Sequence, residues 1–126
     1  MVANNRSLGR SAEALAEEFL KNNGYRILEK NFRTSSGELD IIATDKGVIC
    51  FVEVKARRSD RFGLPEEAVG ISKQARISRQ ALVYLKKKKL LDKRSRFDVV
   101  SLLYSEEGPV LKLIKDAFSL IGDYYI

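Results

Sequence analysis

Two stretches of the chain place apolar residues at the three- and four-residue spacing of an amphipathic helix. Residues 7–23 show this spacing in Leu, Ala and Phe, and Gly24 follows where a left-handed residue would end the helix. Residues 72–90 show it again, with Ser72 as the candidate N-cap. The buried stripe predicted for this second helix comprises Ile71, Ala75, Ser78, Leu82 and Leu85, with Ala81 beside it.

Five further segments have the composition of β-strands, and turn residues separate them. They span residues 25–33, 38–44, 48–56, 97–104 and 110–115. The second and third segments are rich in Ile and Val and are joined by Asp45, Lys46 and Gly47, which predicts a β-hairpin. The resulting order, αβββαββ, is typical of an α/β fold with a central mixed sheet covered by helices.

Length and composition favour a globular protein of one domain. The 126 residues are 44% hydrophobic and 32% charged, which allows a core without metal or disulfide staples. We therefore predict one domain over residues 1–126, in which residues 1–6 form a flexible N-terminus. The longest apolar runs, such as residues 48–52, are far shorter than the roughly 20 residues of a membrane span, so no membrane partner is expected.

The chain has one cysteine and no histidine, and these two counts exclude several kinds of chemistry. A lone Cys50 cannot form an internal disulfide or a Cys-rich zinc site, so we expect a reducing, cytoplasmic location and a small buried strand residue. No serine triad, Cys–His pair or histidine zinc site can be built without histidine. Any catalysis must use carboxylates, lysine, hydroxyl groups or a bound metal.

The formal charge of +6 is concentrated in one segment. Residues 73–96 contain ten basic residues and one acidic residue, so this segment carries +9 and the rest of the chain −3. Such a segment favours a polyanionic partner, although a run of lysines is also what a solvated helix face contains. Arg96 is instead predicted to form a structural ion pair with Asp98. The side chains that could clamp a phosphate backbone are Arg57, Arg58, Lys73, Arg76, Arg79, Lys86 and Lys87.

The predicted hairpin places acidic side chains opposite one another. A loop of two or four residues pairs Asp40 with Glu53 and Glu38 with Lys55, because the numbers of paired residues sum to a constant. The apolar residues around them indicate a central strand pair, where charged groups are costly unless they pair or bind a cation. A loop of odd length would instead put Asp40 and Glu53 on opposite faces, unless a bulge restored them.

The carboxylates of this hairpin have a specific chemical use. Oxygen-only ligands suit a hard divalent cation such as Mg²⁺ or Mn²⁺, and Asp40 and Glu53 are the candidate ligands. Lys55 could orient or activate water, or stabilise developing negative charge. Together these residues could catalyse phosphodiester hydrolysis without histidine. Each motif alone is also common in exposed strands, where such side chains form cross-strand ion pairs.

These segments resemble the signature of the PD-(D/E)xK nucleases. Asp40 matches the motif aspartate, Glu53-Val-Lys55 matches (D/E)xK, and Leu39 stands where the motif has its proline. The chain from about residue 8 to residue 118 further resembles the YraN-like family, small bacterial proteins of the restriction-endonuclease-like or Holliday-junction-resolvase-like superfamily. The motifs that carry this second resemblance are Gly9-Arg-Ser-Ala-Glu13, Gly24-Tyr25, Asn31-Phe-Arg33, Arg57-Arg58, Phe62-Gly63, Ala68-Val69 and Arg96-Phe-Asp-Val99.

The resemblance implies a restriction-endonuclease-like fold and a divalent-metal-dependent endonuclease that acts on DNA, with branched or structured DNA as one option. In resolvase-like relatives a glutamate of the first helix completes the metal site, which implies this role for Glu13. Two roles are possible for Glu38: it could bind the metal through a water molecule, or it could form an ion pair with Lys55. DNA is the expected partner with RNA still open, and resolvase-like relatives leave a homodimer open.

Two other functions remain open on the sequence. A non-catalytic nucleic-acid-binding module with a vestigial nuclease site would carry the same basic segment, because phosphate contacts do not require cleavage. Alternatively, the apolar residues 118–126 could dock the chain to a second copy or to a partner. Metal binding at Asp40 and Glu53 separates the nuclease from the binding module.

Overall fold

The computed structural model describes residues 5–58 and 69–120, with side chains from residue 12 onward. Most of the predicted N-terminus, the loop after residue 58 and the end of the apolar tail lie outside the described residues. The elements are α1 (Asn5–Asn22), β1 (Arg26–Thr34), β2 (Gly37–Asp45), β3 (Val48–Arg57), α2 (Ile71–Lys87), β4 (Ser95–Ser105) and β5 (Gly108–Phe118). This order confirms the predicted α/β fold class. Neither described helix is long and apolar enough to cross a membrane.

The five strands form one mixed sheet in the order β1-β2-β3-β4-β5. All neighbours are antiparallel except β3 and β4, which run parallel from the pair Ile49–Ser95 to the pair Arg57–Leu103. A parallel pair needs a crossover connection, and α2 lies in the chain between these two strands. This is the mixed sheet with helices that the sequence predicted for a restriction-endonuclease-like fold.

Apolar side chains cover both faces of the sheet, and each face has its own helix. On the α1 side, Leu20 packs in one cluster with Cys50 of β3. On the α2 side, Tyr84 contacts Phe32 and Phe51 edge-on, with ring centroids 5.3 and 5.9 Å apart. Because β3 supplies residues to both clusters, it is a central buried strand. A charged residue on β3 therefore loses its water and needs a partner.

The buried face of α2 is rotated from the predicted stripe. Ile71, predicted to be buried, is 70% exposed, because the helix begins there and Gly70 precedes it as the N-cap. No side-chain hydrogen bond caps this end, so the prediction of Ser72 as the cap is wrong. The buried residues of α2 are Ile77, Ser78, Gln80, Ala81, Tyr84 and Leu85. The rotation places the aromatic ring of Tyr84 against Phe51, which the apolar spacing alone did not anticipate.

The last strand, β5, is longer than predicted because it continues past an irregularity. Asp116 has a left-handed backbone (φ 53°), and its N–H donates to the carboxylate of Asp98 at 2.9 Å. The strand resumes beyond this point, and Phe118 stacks on Phe97 with ring centroids 4.9 Å apart. The start of the apolar tail is thus part of the sheet and its core.

Candidate active site

The hairpin between β2 and β3 has the loop length that aligns its acidic residues. Residues 46–47 form the loop, and both have the left-handed backbone (φ 50° and 85°) that a two-residue type I′ turn requires. The pairing runs from this loop to Ile41 and Val52, in the register that the sequence predicted. Asp40 and Glu53 come next, one residue beyond the last pair on each strand.

Asp40 lies where β2 and β3 separate. Leu39 packs in the cluster on the α2 side of the sheet and Ile41 in the cluster on the α1 side, so the side chains of β2 do not alternate regularly at Asp40. Oδ2 of Asp40 accepts a hydrogen bond from the main-chain N–H of Val54 at 2.9 Å. The Asp40 side chain therefore accepts a hydrogen bond from a main-chain N–H of β3 that lies beyond the last main-chain pair. This hydrogen bond fixes the carboxylate between the two strands.

Glu53 is a buried carboxylate that is ion-paired with a lysine of α2. Its side chain is 7% exposed, and its carboxyl group lies within hydrogen-bonding reach of Asp40. Lys73 of α2, which the sequence analysis assigned to a backbone clamp, places its Nζ 2.6 Å from Oε1 of Glu53. One ammonium thus contacts one of two neighbouring carboxylates. When both carboxylates are ionised, the pair keeps an excess of negative charge that a further cation would offset.

The surroundings of these two carboxyl groups favour their protonated forms. Burial raises the pKa of Glu53 from 4.5 to about 7, and the charge of Asp40 adds to this rise while Lys73 opposes it. Burial also raises the pKa of Asp40, in spite of the hydrogen bond from Val54. Neighbouring buried carboxyl groups whose pKa values are raised are typical of functional sites, where a divalent cation can replace the protons.

The raised pKa of Glu53 predicts that the metal-free protein loses stability as the pH rises. The folded protein retains the Glu53 proton up to about pH 7, whereas the unfolded chain releases it near pH 4.5, so the unfolding free energy falls across that window. Relative to Glu53→Gln, which cannot titrate, the wild type should lose on the order of 1–3 kcal/mol. Urea unfolding in EDTA at several pH values measures this difference, and parallel pH profiles for the two proteins would contradict it.

Glu13 of α1 faces Asp40 from the α1 side of the sheet. A cleft of about 190 Å³ between them is lined by Glu13, Lys30 and Asp40, among other residues. Burial raises the pKa of Glu13, and the charges of Asp40 and Glu38 raise it further. Glu17, one turn along α1, is instead ion-paired with Lys30 at 3.0 Å. Glu13 is therefore the acidic residue of α1 that interacts electrostatically with Asp40.

Glu38 and Lys55 lie beyond the point where β2 and β3 separate. Oε1 of Glu38 is 3.6 Å from Nε of Arg33, its neighbour on β1, and no Glu38–Lys55 ion pair occurs within residues 12–58 and 69–120. Lys55 is half-buried and follows Glu53 by two residues, so the two side chains share one face of β3. On its other side Lys55 pairs with Ser101 of β4. Lys55 thus lies on the same face of β3 as Glu53, and it takes no part in the contact between Arg33 and Glu38.

The remaining basic residues of the predicted clamp line the outer surface. Arg57 at the end of β3 is half-buried, whereas the other five are exposed: Arg58, Arg76, Arg79, Lys86 and Lys87. Lys87 also lies over the ring of Phe32 at 5.9 Å. The exposed basic face of α2 is therefore separate from its buried face, as predicted, and Lys73 connects it to the carboxylate pair.

Sequence reasoning missed a polar cluster beside this pair. Gln80 of α2 is 1% exposed, its amide nitrogen donates to Oγ of Ser36 at 2.7 Å, and its carbonyl oxygen accepts a hydrogen bond from Oγ1 of Thr34. These contacts fix the β1–β2 turn against the helix. The available signal was a glutamine between Ile77 and Tyr84 on one face of α2, since an amide at such spacing must have partners.

A second buried charged cluster lies near the 46–47 loop. Asp98 has no exposed surface and accepts hydrogen bonds from the Tyr25 hydroxyl at 2.6 Å and from Nε of Arg96 at 2.9 Å. Nη2 of Arg96 also donates to Asp45 at 2.6 Å. The predicted pairing of Arg96 with Asp98 is confirmed. Every charge in this cluster has a partner, which indicates a structural role.

The donor set at the β2–β3 separation fits a hard divalent cation. Asp40 and Glu53 offer oxygen ligands, and Mg²⁺ is commonly held by one or two carboxylates while it keeps several waters. Within residues 12–58 and 69–120, no three acidic or cysteine side chains come together as a complete ligand cage. The residues that could hold the cation are therefore Asp40 and Glu53, with Glu13 facing Asp40 across the α1-side cleft.

Proteins similar to this chain in sequence include members of one family. A family model described as "Uncharacterised protein family UPF0102" matches residues 12–102. A UPF0102 protein of Syntrophus aciditrophicus is 50% identical over 119 residues, 94% of each chain. Another, from Geobacter metallireducens, is 46% identical over 120 residues, 95% of this chain and 98% of the relative. The solved structure of Pyrococcus furiosus SfsA in complex with Ca²⁺ superposes with a TM-score of 0.40 at 16% identity, over 90% of this chain and only 63% of its own length.

Proposed function

Because the chain belongs to the uncharacterised protein family UPF0102, whose description states no activity, we propose a function from its site: divalent-metal-dependent hydrolysis of phosphodiester bonds in DNA. The proposed protein is an endonuclease of the PD-(D/E)xK type, and branched or structured DNA is its proposed substrate. The proposal rests mainly on the pair formed by buried Glu53 and half-buried Asp40, in which Glu53 already contacts the ammonium group of Lys73 at 2.6 Å.

The carboxylate pair has few other uses in this position. A structural charge cluster would balance its carboxylates with as many cations, as Arg96 and Lys115 do for Asp45 and Asp98 at the other end of the sheet. Here two carboxyl groups lie side by side, burial raises the pKa of both, and a single lysine contacts one of them. Such an arrangement costs stability, and sites that retain this cost are commonly functional.

Each residue of the site has a proposed role. Asp40 and Glu53 would hold Mg²⁺ or Mn²⁺, and Glu13 would add a ligand from α1. Bound there, the cation would supply Lewis acidity and lower the pKa of a coordinated water. Lys55, on the same face of β3 as Glu53, would orient the attacking water and offset the charge that develops on the phosphate oxygens.

The basic surface would hold the substrate. Arg57 ends the strand that carries Glu53 and Arg58 follows it directly. Along α2 run the exposed residues Arg76, Arg79, Lys86 and Lys87. Each phosphate that these side chains neutralise releases counterions, so the affinity for DNA should fall steeply with salt concentration. RNA offers the same phosphate charges and stays a second substrate to be tested.

One observation favours a second candidate, a nucleic-acid-binding module with a vestigial site. The ammonium of Lys73 contacts Glu53, and no three acidic side chains within the described residues form a closed cage. A protein that no longer needs the cation could use Lys73 as a permanent counter-ion. Its basic face would still bind phosphates, because these contacts do not depend on hydrolysis.

A cleavage assay distinguishes the two candidates. The protein is incubated with Mg²⁺ or Mn²⁺ and labelled single-stranded, duplex, flap and four-way-junction DNA, and parallel reactions contain EDTA or a matching RNA. The nuclease proposal expects cutting of at least one substrate that EDTA abolishes. Salt-sensitive binding of the same substrates with no cutting in any metal would overturn it and support the binding module.

A further inference from the structure

A cleft of about 210 Å³ lies between the β1–β2 turn and α2, next to the carboxylate pair. Ser36 and Glu38 line it from the turn, and Lys73 and Arg76 line it from the helix. Lys73 reaches Glu53 at 2.6 Å from this cleft, so a ligand seated there would lie beside the candidate active site. Nothing in the roles proposed above uses the turn residues.

The hydroxyl group of Ser36 is held with its proton available. Oγ of Ser36 accepts a hydrogen bond from the Gln80 amide at 2.7 Å, while the Thr34 hydroxyl donates to the carbonyl oxygen of the same side chain. The remaining described partner of Ser36 Oγ is Oγ1 of Thr34 at 3.3 Å, a long contact for two hydroxyl groups. The Ser36 hydroxyl can therefore donate a hydrogen bond to a stronger acceptor that enters the cleft.

The turn itself is shaped to keep this arrangement. Gly37 has a left-handed backbone (φ 157°), and a Cβ at this position would lie 3.3 Å from Nε2 of Gln80. A glycine thus lets the turn approach the buried amide closely. Because Gln80 is 1% exposed, its hydrogen bonds to the turn are partly shielded from water and help to hold the exposed Ser36 in place.

The charge of the cleft favours an anion. Arg76 is exposed, and no carboxylate within the described residues lies at ion-pair distance from its guanidinium. Glu38, the acidic residue of the lining, is 3.6 Å from Arg33 on its other side. A guanidinium and a hydroxyl donor at one concave site match the oxygens of a phosphate group.

We propose that this cleft binds one backbone phosphate of the nucleic acid next to the scissile bond, with the Ser36 hydroxyl and the Arg76 guanidinium as its donors. This subsite rests on the proposed function, since it gives the phosphodiester substrate a fixed position relative to Asp40 and Glu53. Arg26, exposed at the opposite end of β1 where it pairs with Thr44, lies outside the cleft lining and serves as the control.

The test uses a ligand with a single phosphate. Thymidylyl-thymidine is titrated into the ¹⁵N-labelled protein in EDTA, and its uncharged methylphosphonate analogue is titrated in parallel. The subsite predicts that the Ser36 amide and the Gln80 side-chain amide signals shift with the phosphate ligand and not with the analogue. Arg76→Gln should weaken this binding about tenfold and Ser36→Ala severalfold, as expected for hydrogen bonds to a charged group, whereas Arg26→Gln should leave it unchanged.

Three results would overturn the subsite: no binding of thymidylyl-thymidine, signal shifts confined to other basic residues, or equal losses in Arg76→Gln and Arg26→Gln. The experiment contains no metal and measures no hydrolysis, so it fails independently of the nuclease proposal. A seated phosphate in a protein that cuts nothing would keep the subsite and remove the nuclease. DNA cleavage without the predicted signal shifts would keep the nuclease proposal and remove the subsite.

Discussion

Glu53→Gln is expected to lower metal-dependent cleavage of DNA by at least about 100-fold. Loss of a residue that only supports a metal ligand costs up to about 100-fold, and Glu53 would be a ligand itself. The substitution preserves the shape of a side chain that is 7% exposed but removes the charge that would hold the cation. DNA binding in EDTA should be retained, because the basic face of α2 is unchanged. Initial cleavage rates and binding isotherms on the same substrate measure the two properties.

The matched control for this prediction is Glu18→Gln. Glu18 is exposed on α1, so the same loss of one negative charge there should leave cleavage within about twofold of wild type, as expected of surface changes. Equal rates for Glu53→Gln and wild type would show that Glu53 takes no part in the reaction. Equal losses in both variants would point to a general effect of charge on DNA binding.

Asp98→Ala is expected to destabilise the protein by about 3–5 kcal/mol, the cost of breaking a buried charge pair. Asp98 has no exposed surface and accepts hydrogen bonds from Tyr25, Arg96 and the main-chain N–H of Asp116. Its removal leaves these donors without an acceptor. Arg96 would keep only its contacts with Asp45 and Tyr25. Urea unfolding gives the difference in free energy.

Tyr25→Phe calibrates the Asp98 prediction. It removes the hydrogen bond that Tyr25 donates to the same carboxylate at 2.6 Å and the one that Tyr25 accepts from Arg96 at 3.0 Å. The ion pair of Asp98 with Arg96 stays intact, so the cost should be about 1–3 kcal/mol. If Asp98→Ala cost no more than Tyr25→Phe, the cluster would not act as a charged unit. The expected order of the two values follows from the number of donors that each change leaves unpaired.

The register of the central hairpin was predictable because the numbers of its paired residues sum to a constant. Once residues 46–47 form the loop, the pairing of β2 and β3 fixes Asp40 and Glu53 as neighbours, and the observed register agrees up to Ile41 and Val52. The element order also predicted a mixed sheet, and its parallel pair, β3 and β4, is the one joined through the long helix α2. The order of the strands within the sheet was not predicted.

The surroundings of this hairpin were not predictable in the same way. The contact of Lys73 with Glu53 depends on the rotation of α2, and the apolar spacing placed the buried face near Ile71 instead of Tyr84. The position of Asp40 between the strands depends on where β2 loses its regular alternation, and no local pattern marks that point. Both features arise from packing between elements distant in sequence.

The most direct test of the account is a calorimetric titration of Mn²⁺ into the wild type and into the Asp40→Asn, Glu53→Gln double variant. The account predicts a saturable site in the wild type that weakens by at least about 100-fold in the variant, because both oxygen ligands have lost their charge. Circular dichroism checks that the variant keeps its fold. Equal Mn²⁺ affinity in the two proteins, or no binding by the wild type, would contradict the claim that Asp40 and Glu53 form a metal site.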